Sequence, residues 1–421
     1  RNITNGSTMR VVSWSGNSII FNASPNAHHI QDIASGFYTL CVKRGYKDIV
    51  LDFSRCTNVF ENVMLPIACL ARFYLVEHNV DIEIKLPTSD KLRALFHNSN
   101  WQHLISPRHF DKTTYSKGVH VPALQYTNGA EQHEAVDNVM SAVLASLDGL
   151  TRGNLKALEW SISEITDNVL NHAQSKIGGF VQVSTFGEKG TVEFIVADMG
   201  IGISRSLKIN DPKRALEQAV KEGVTRDKDS NAGNGLFGSL QVATMSGGQF
   251  QLHSGNASLI ANEDRVQFYK HRPLYPGVVV IAKINCMKEG LLEKALRFKG
   301  EPYLPAYDYV EAKYEKAQAG VLEFRISEEV DSLGSREAAK TVKTKLLNLV
   351  TMNPESEVHV DFSDVYVVSS SFADEVFGKI FHELGPVQFM NKIRLVNIDK
   401  TIRGLLDRAI VQRSASSYKA E

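Results

Sequence analysis

Apolar and polar positions along the 421-residue chain fall into three stretches with different periodicity. Up to about residue 125, short apolar runs typical of strands alternate with longer runs in which apolar residues recur every three or four positions, as in helices. The predicted strands are SIIF (18–21), DIVLDFS (48–54) and DIEIKLP (81–87), and the predicted helices cover about 27–44, 61–75 and 90–96. This stretch therefore predicts a β-α-β-α-β-α unit.

The last stretch, from about residue 318, repeats the same order of elements. Its predicted strands are 321–326, 357–363 and 392–397, and its predicted helices are 335–350, 371–381 and 400–410. The triplet Asp52-Phe53-Ser54 recurs as Asp361-Phe362-Ser363 at the end of the second strand of each stretch. We interpret the two stretches as units of one type that flank a central domain. The alternative is a chance match of the triplet within a common β-α order.

The central stretch begins with a long helical run at 129–147 and a second helix from about Asn154. Predicted strands follow at 180–186, 191–198, 248–255 and 277–285, with a helix opening near residue 233. The predicted fold class is therefore α/β, in which helices pack against sheets. The predicted domains are 1–125, 126–290 and 318–421, with 291–317 as a linker.

Composition and charge exclude several classes of protein. Hydrophobic residues make up 43% of the chain and charged residues 22%, as in soluble globular proteins. Lys+Arg and Asp+Glu both number 47, so no overall field favours nucleic acid or an anionic membrane. No apolar stretch approaches the roughly 20 residues that cross a bilayer, and the polar first ten residues do not resemble a secretory signal. The four cysteines form no C-x-x-C pair, and we expect them to be reduced core residues of a cytoplasmic protein.

The helix SEITDNVLNHAQ (163–174) carries an unusual polar stripe. Helical spacing predicts Glu164, Asn168 and Asn171 on one face, where a solvated helix would more often carry Lys and Glu. The amide oxygen of Asn168 is a hard ligand suited to Mg²⁺. Glu164, one turn earlier, can take a proton from a water or hydroxyl that attacks a γ-phosphate. The alternative for Glu164 is an ordinary solvated helix residue.

A second motif, Asp198-Met-Gly200-Ile-Gly202, ends an apolar strand. An ionised Asp198 is acceptor-only and can receive the exocyclic amine of adenine, whereas guanine presents a carbonyl there. Gly200 and Gly202 have no Cβ and would let the backbone approach a base. The alternative for Asp198 is an isolated turn residue.

A third motif, Gly233-Asn-Gly235-Leu-Phe-Gly238, opens a helix about 35 residues further along. The backbone N–H groups of such a run, here including Leu236 and Phe237, form a phosphate site at a helix N-terminus. Each motif alone is a weak signal. Their order and spacing together predict an ATP site.

With these three motifs in place, residues 150–286 resemble the GHKL superfamily, the ATP-binding fold of gyrase, histidine kinases and mismatch-repair ATPases. The resemblance implies an α+β sandwich in which Mg–ATP lies between helices and a mixed sheet, beneath a lid at 204–232. It also implies that Glu164 is catalytic, that Asn168 holds Mg²⁺, and that the Asp198 and Gly233–Gly238 motifs bind ATP.

Two departures from this family's pattern concern phosphate binding and the rate of ATP hydrolysis. Histidine kinases usually carry a basic residue where this chain has Asn171. One phosphate contact is then either missing or supplied by Arg226 or Lys228 of the lid, and Asn171 itself is a further candidate. The strand at 277–285 follows Pro276 and begins Gly-Val, where the family often has Gly-Thr. The distal lysine of gyrase-like members has no counterpart that we identify. We therefore expect slow hydrolysis.

Residues 321–411 resemble the STAS-like family, relatives of anti-anti-sigma factors, and the first unit resembles it more weakly. Such proteins carry a phosphorylatable serine at the start of a helix. Ser371 fits that position, although a serine there also serves as a helix cap.

Taken together, these patterns predict an ATP- and Mg²⁺-binding regulatory protein with slow ATP hydrolysis, acting as a nucleotide-gated switch in bacterial signalling or in a stress or defence response. One alternative is a serine kinase acting on a STAS-type domain, and another is a non-catalytic ATP-binding scaffold. The expected partners are ATP and either another protein or a second copy bound through the STAS-like units, with neither nucleic acid nor membrane.

Overall fold

The computed structural model describes residues 10–224, 233–306, 308–315 and 320–417. The chain is α/β, as the hydrophobic pattern predicts, and its strands form several separate sheets. Successive stretches of the chain form a first unit, a central domain, a connector and a last unit.

The first unit is a four-stranded sheet in the order β1-β2-β3-β4, covered by helices. Strands β2, β3 and β4 are parallel, and β1 pairs antiparallel with β2 across a tight turn at Gly16. The predicted element order is confirmed, with the hairpin strand β1 as an addition. The elements are β1 (Val12–Ser15), β2 (Ser18–Phe21), α1 (Ile30–Phe37), β3 (Asp48–Asp52), α2 (Glu61–His78), β4 (Asp81–Lys85), α3 (Asp90–Asn98) and α4 (Trp101–Ile105).

The central domain is a five-stranded antiparallel sheet in the order β5-β6-β7-β9-β8. Its last two strands are longer than predicted and form an extended hairpin. The elements are β5 (Leu124–Tyr126), α5 (Gly129–Ser146), α6 (Arg152–Asn168), β6 (Gly179–Phe186), β7 (Thr191–Asp198), α7 (Gly202–Ser206), α8 (Pro212–Ala219), α9 (Gly235–Met245), β8 (Gln249–Ala261) and β9 (Val266–Asn285).

Both faces of the central sheet are covered, which explains why its strands read as nearly continuous apolar runs. Along β7, Phe194 and Val196 pack in the core that includes α5 and α6. The alternate residues Ile195 and Ala197 pack instead in the core of the first unit. The first unit therefore lies on one face of this sheet, and the helices of the central domain lie on the other.

The connector after β9 is folded rather than extended. It contains α10 (Leu291–Ala295), a short hairpin of β10 (Arg297–Phe298) and β11 (Glu301–Pro302), and α11 (Tyr309–Tyr314). Leu291, Leu296 and Tyr309 are buried in the same core as α6. The segment predicted as a linker at 291–317 therefore packs against the central domain through its buried residues, whereas 299–304 are exposed.

The last unit is a three-stranded parallel sheet in the order β12-β13-β14. The predicted helix at 371–381 is instead a series of segments that continues to Lys392, with a π-helical turn at Asp374–Gly378 and a kink at Gly385. The elements are β12 (Val321–Arg325), α12 (Ile326–Glu329), α13 (Arg336–Met352), β13 (Glu357–Asp361), α14 (Ser370–Ala373), α15 (Lys379–Lys392), β14 (Ile393–Val396) and α16 (Lys400–Ser417).

The repeated Asp-Phe-Ser triplet makes the same turn in both flanking units. Asp52 Oδ1 accepts hydrogen bonds from Ser54 N at 2.9 Å and Ser54 Oγ at 2.6 Å. Asp361 Oδ1 accepts from Ser363 N at 2.8 Å and Ser363 Oγ at 2.7 Å. Each turn follows the middle strand of three parallel strands. This shared geometry supports the interpretation of the flanking stretches as a repeat.

The last unit joins the central domain through α13, which packs on α5. The buried side chain of Asn348 accepts hydrogen bonds from the backbone N–H groups of Gly149 at 3.1 Å and Leu150 at 3.3 Å. Its amide nitrogen donates to the carbonyl oxygens of Leu144 at 2.9 Å and Leu147 at 2.6 Å. One side chain of α13 thus satisfies backbone groups at and beyond the end of α5, where a helix lacks internal partners.

Candidate functional site

A cavity of about 320 Å³ lies between α6, the central sheet and the start of α9. Residues of all three predicted motifs line this cavity, namely Glu164, Asn168, Asp198, Gly202, Gly233, Gly235 and Leu236. The first and the last of these residues are about 70 positions apart in the chain. The fold therefore brings together the helix stripe, the Asp198 turn and the glycine-rich helix start.

Helix α6 contributes one long wall of the cavity. It begins after Thr151, whose hydroxyl accepts a hydrogen bond from Asn154 N at 3.2 Å, and it is amphipathic. Trp160, Glu164 and Asn168 follow one another at four-residue intervals, so they form a row along the cavity. This row gives the cavity an aromatic ring, a carboxyl group and an amide in sequence.

The end of α6 corrects the predicted stripe. After Asn168 the helix widens into a π-helical turn at Val169–Ala173, in which hydrogen bonds span five residues rather than four. The wider turn changes which residues share a face. His172 consequently lines the cavity, whereas Asn171 is exposed and does not line it. The structure therefore does not bring Asn171 to the place expected of a phosphate contact.

Glu164 is a partly buried carboxyl group beside the start of α9. Burial raises its pKa to about 7, and the nearby charge of Asp167 adds to the shift. A group with this pKa exchanges its proton near neutral pH, which suits a general base. A Cβ added to Gly235 would lie 2.7 Å from Glu164 Oε2, so a larger residue at this position would require the Glu164 carboxylate to move aside.

Asp198 ends β7 and is 3% exposed. Its Oδ1 accepts a hydrogen bond from Gly200 N at 2.7 Å. Burial raises its pKa to about 7, against the opposing effect of backbone N–H groups of Gly200 and Val278. The site thus presents one buried carboxyl group to the cavity, and a ligand with an N–H donor would favour its ionised form.

The two glycines after Asp198 have different roles. A Cβ on Gly200 would lie 2.1 Å from the carbonyl oxygen of Ala173, and Ile201 N donates to that oxygen at 2.8 Å. Gly200 therefore allows the turn to pack against the end of the π-helical segment, and it does not line the cavity. Gly202 lines the cavity and has φ of +73°, a conformation that favours glycine.

The glycine-rich run forms the start of α9. Gly233 has φ of +72°, and the Asn234 side chain accepts a hydrogen bond from Gly223 N at 3.0 Å instead of capping the helix. Gly235 and Leu236 line the cavity, so the first N–H groups of an eleven-residue helix begin at its wall. This is the arrangement that attracts anions.

The other two predicted residues of this motif contribute to packing rather than to the cavity wall. A Cβ on Gly238 would lie 2.3 Å from Trp160 Cη2, so Gly238 allows α9 to pack against the indole. The ring of Phe237 does not line the cavity, and its centroid lies 6.4 Å from that of Phe298.

An aromatic wall at the Glu164 end was not predicted. Trp160 of α6 meets Phe298 and Tyr303 of the connector, each with a ring-centroid distance of 6.0 Å. Phe298 and Tyr303 also lie 5.3 Å from each other. They follow the third motif by about 60 residues, and the only local signal is the short turn Phe298-Lys-Gly-Glu between them. Periodicity does not reveal such a distant contribution.

The predicted lid is described only in part. Arg226 and Lys228 lie outside the described residues, as does the rest of 225–232. The preceding part carries α7 and α8, and Ala215, Leu216 and Ala219 are buried. This part of the predicted lid is therefore anchored to the central domain.

Ser371 lies in the last unit at the start of α14. The cap of this helix is Ser369, whose hydroxyl accepts a hydrogen bond from Phe372 N at 3.1 Å. Ser371 is partly exposed, and its hydroxyl lies 3.1 Å from that of Ser369. The capping role considered for Ser371 thus belongs to its neighbour.

The described residues bear on the possibility of a metal centre and of a membrane span. Within the described ranges, no cluster of three or more His, Cys, Asp or Glu side chains is placed to hold a metal ion. Likewise, none of the helices in the described part of the chain combines the length and apolar character needed to span a membrane. Asn168 can supply one oxygen ligand at the cavity, which fits Mg²⁺ because this ion commonly takes one or two protein ligands together with water and phosphate oxygens.

Comparisons with known proteins identify one part of the chain. The model of a family described as a STAS-like domain of unknown function (DUF4325) matches residues 338–403, from α13 into α16. No curated protein matches the chain, and neither does any solved structure. The last unit therefore contains a STAS-like domain at residues 338–403.

Proposed function

We propose that the central cavity binds ATP with Mg²⁺, and that the protein is a regulatory, slowly hydrolysing member of the GHKL type. The observation that carries this proposal is the convergence of three separated motifs on one cavity. The buried carboxyl group of Asp198 lies at one part of the cavity wall. The N-terminus of α9 lies at another part, next to the carboxyl group of Glu164 and the amide of Asn168. The cavity lies between helices and a sheet, as the resemblance implies, although the pairings of this sheet are all antiparallel and the resemblance implies a mixed sheet.

The adenine would lie beside Asp198. The carboxylate accepts the exocyclic amine, and the neighbouring apolar side chains of Val196, Ile203 and Val278 provide walls for a flat ring. Guanine would place a carbonyl oxygen against the carboxylate, and a buried pair of acceptors is costly. This end of the cavity therefore favours ATP over GTP.

The phosphates would lie between the start of α9 and the polar row of α6. The N–H groups of Gly235 and Leu236 can donate to phosphate oxygens, and Asn168 can hold Mg²⁺. Bound Mg²⁺ would neutralise phosphate charge. The close approach of Gly235 to Glu164 and Asn168 brings these groups to one place, which fits the requirement for both an anion site and a cation ligand.

Glu164 would accept the proton of the attacking nucleophile. Its pKa of about 7 leaves a substantial ionised fraction at neutral pH. The described residues contribute no lysine or arginine to the cavity wall that could balance charge developing on the phosphates. Arg226 and Lys228 lie outside the described residues. The expectation of slow hydrolysis rests instead on the lack of an identified counterpart to the distal lysine of gyrase-like members, and slow hydrolysis suits a switch whose bound state persists.

A serine kinase is the second candidate, favoured by the surface around Ser371. Tyr366 and Val367, which precede the serine cluster, are 85% and 78% exposed, so this loop is accessible to another molecule. Phosphoryl transfer would form a bond from Ser371 Oγ to the γ-phosphorus and release ADP, with the hydroxyl proton passing to Glu164. A scaffold that only binds ATP is the third candidate.

Titration calorimetry and radiolabelled ATP test these candidates on the full chain. We expect ATP to bind in the presence of Mg²⁺, GTP to bind more weakly, and free phosphate to accumulate slowly. Label on the protein that disappears in Ser371→Ala would establish the kinase instead. Binding with neither product would establish the scaffold. Absence of ATP binding would overturn the proposal.

A further inference from the structure

The hairpin β10–β11 contributes to a cavity whose three motifs all lie earlier in the chain. Phe298 at the end of β10 and Tyr303 just after β11 both line the cavity. Their rings meet Trp160, which lies one helical turn before Glu164 on α6. The hairpin thus covers the Glu164 end of the cavity with aromatic side chains.

Backbone hydrogen bonds hold this hairpin in place. Tyr303 N donates to the carbonyl oxygen of Leu296 at 2.8 Å. Lys299 N, at the turn, donates to the exposed carboxylate of Glu222, which lies just beyond α8. The turn is therefore tied to the segment that precedes Val224 and Gly233, both of which line the cavity.

We propose that the β10–β11 hairpin is a cover of the nucleotide site, with Phe298 and Tyr303 as positioning residues that retain the terminal phosphates against α6. The proposal rests on the proposed function, since it requires a nucleotide whose phosphates lie beside Glu164. The aromatic rings add no hydrogen-bonding partner for the base. Their effect is to obstruct the exit at the phosphate end and to limit the access of bulk water there.

The same connector continues to the last unit, which gives the cover a second attachment. Arg152 Nε donates to Asp308 Oδ2 at 2.8 Å, and Glu159 Oε2 accepts from Tyr309 N at 2.9 Å. Both Arg152 and Glu159 belong to α6, the helix that carries Glu164. The connector that carries the hairpin is therefore also attached to α6 at the start of α11.

The test is the release rate of a fluorescent ATP analogue from the full-length protein, measured by stopped flow after mixing with excess ATP. We expect Phe298→Ala to release the analogue roughly tenfold faster, with a much smaller change in the association rate, because affinity differences mostly reside in dissociation. Phe186→Ala is the matched control: this ring is half-exposed at the end of β6 and does not line the cavity, so release should be unchanged.

A second variant tests the proposal independently if Phe298→Ala does not fold. Glu222→Ala removes the acceptor for Lys299 N at an exposed position, so it should leave the fold intact and also accelerate release. An unchanged release rate in a folded Phe298→Ala protein would overturn the proposal that the hairpin covers the site. If Phe298→Ala does not fold, unchanged release in Glu222→Ala would overturn it. If the unmodified protein does not bind the analogue or ATP, the proposed function itself fails.

Discussion

Gly235 and Glu164 approach so closely that a Cβ on the glycine would lie 2.7 Å from Glu164 Oε2. The same Cβ would lie 3.4 Å from Asn168 Nδ2. The first residue of α9 therefore sits directly against the polar row of α6. This contact joins two motifs that are about 70 residues apart in the chain, and it defines the part of the cavity assigned to the phosphates.

Gly235→Ala should weaken Mg–ATP binding by about threefold to tenfold, because the added methyl group moves the Glu164 carboxylate aside and occupies space where phosphate would bind. Gly235 does not have a positive φ, so backbone strain would not explain the loss. Calorimetric titration measures the effect. Gly404→Ala in α16 is a suitable control, since its Cβ would meet no atom within 4 Å. Equal ATP affinity in both variants would show that the start of α9 does not contribute to the phosphate site.

Asp198→Asn should reduce ATP affinity by about 1.5–3 kcal/mol, the cost typical of losing a hydrogen bond to a charged group. The asparagine can still accept from Gly200 N, so the turn should remain intact. Binding is measured by calorimetry and compared with GTP, which should lose less. ATP affinity equal to that of the unmodified protein would show that Asp198 does not contact the base.

The same substitution should raise thermal stability at pH 8. The pKa of Asp198 is raised to about 7 in the folded protein, so its ionisation opposes folding above its unfolded pKa near 4. This destabilisation grows between about pH 4 and pH 7 and is complete above pH 7. The Tm gain of Asp198→Asn should therefore be largest at pH 8 and shrink towards pH 4. A Tm loss at pH 8 would mean that the carboxylate stabilises the fold.

Glu164→Gln should preserve ATP binding and slow hydrolysis by about 10²–10⁴-fold, the usual contribution of a general base. In the unmodified protein, turnover should increase with pH through about 7 as Glu164 ionises, and the variant should lose this dependence. Phosphate release across pH 5.5–8.5 provides the measurement. Glu188→Gln, at an exposed position away from the cavity, should behave like the unmodified protein.

Asn348→Ala should reduce the free energy of unfolding by about 2–3 kcal/mol, because it leaves buried backbone groups at the end of α5 without partners. Urea unfolding monitored by circular dichroism measures this loss. Lys340→Ala on the exposed side of α13 should change stability little. Similar stability of the two variants would show that this contact contributes little to joining the two units.

Local patterns were sufficient for elements whose side-chain periodicity is regular. The triplets at Asp52 and Asp361 were matched by sequence, and both form the same strand-end turn. Glu164 and Asn168 share one face of α6, as their spacing predicts, because regular α-helical geometry holds up to Asn168. The same face does not continue to Asn171, because the helix widens into a π-helical turn after Asn168. That turn depends on packing, which the spacing of polar residues does not report.

Contributions from distant segments were not predictable in this way. Phe298 and Tyr303 reach the cavity because α10 and the following hairpin fold back on α6, and their spacing carries no motif. The close contacts that require Gly200 and Gly238 also appear only in three dimensions: one abuts Ala173 and the other abuts Trp160. Sequence patterns thus identified the chemical groups, whereas tertiary contacts decide which of them reach the cavity.

The two-sided burial of the central sheet has a consequence for deletion experiments. Removing the first unit would expose Phe180, Ile195 and Ile281 to water on a broad apolar surface. A fragment limited to 126–290 should therefore aggregate, even though it contains every motif assigned to the nucleotide. We therefore expect the smallest piece that folds on its own to extend beyond the stretch that carries the three motifs, and fragment boundaries should be chosen by sheet coverage rather than by motif limits.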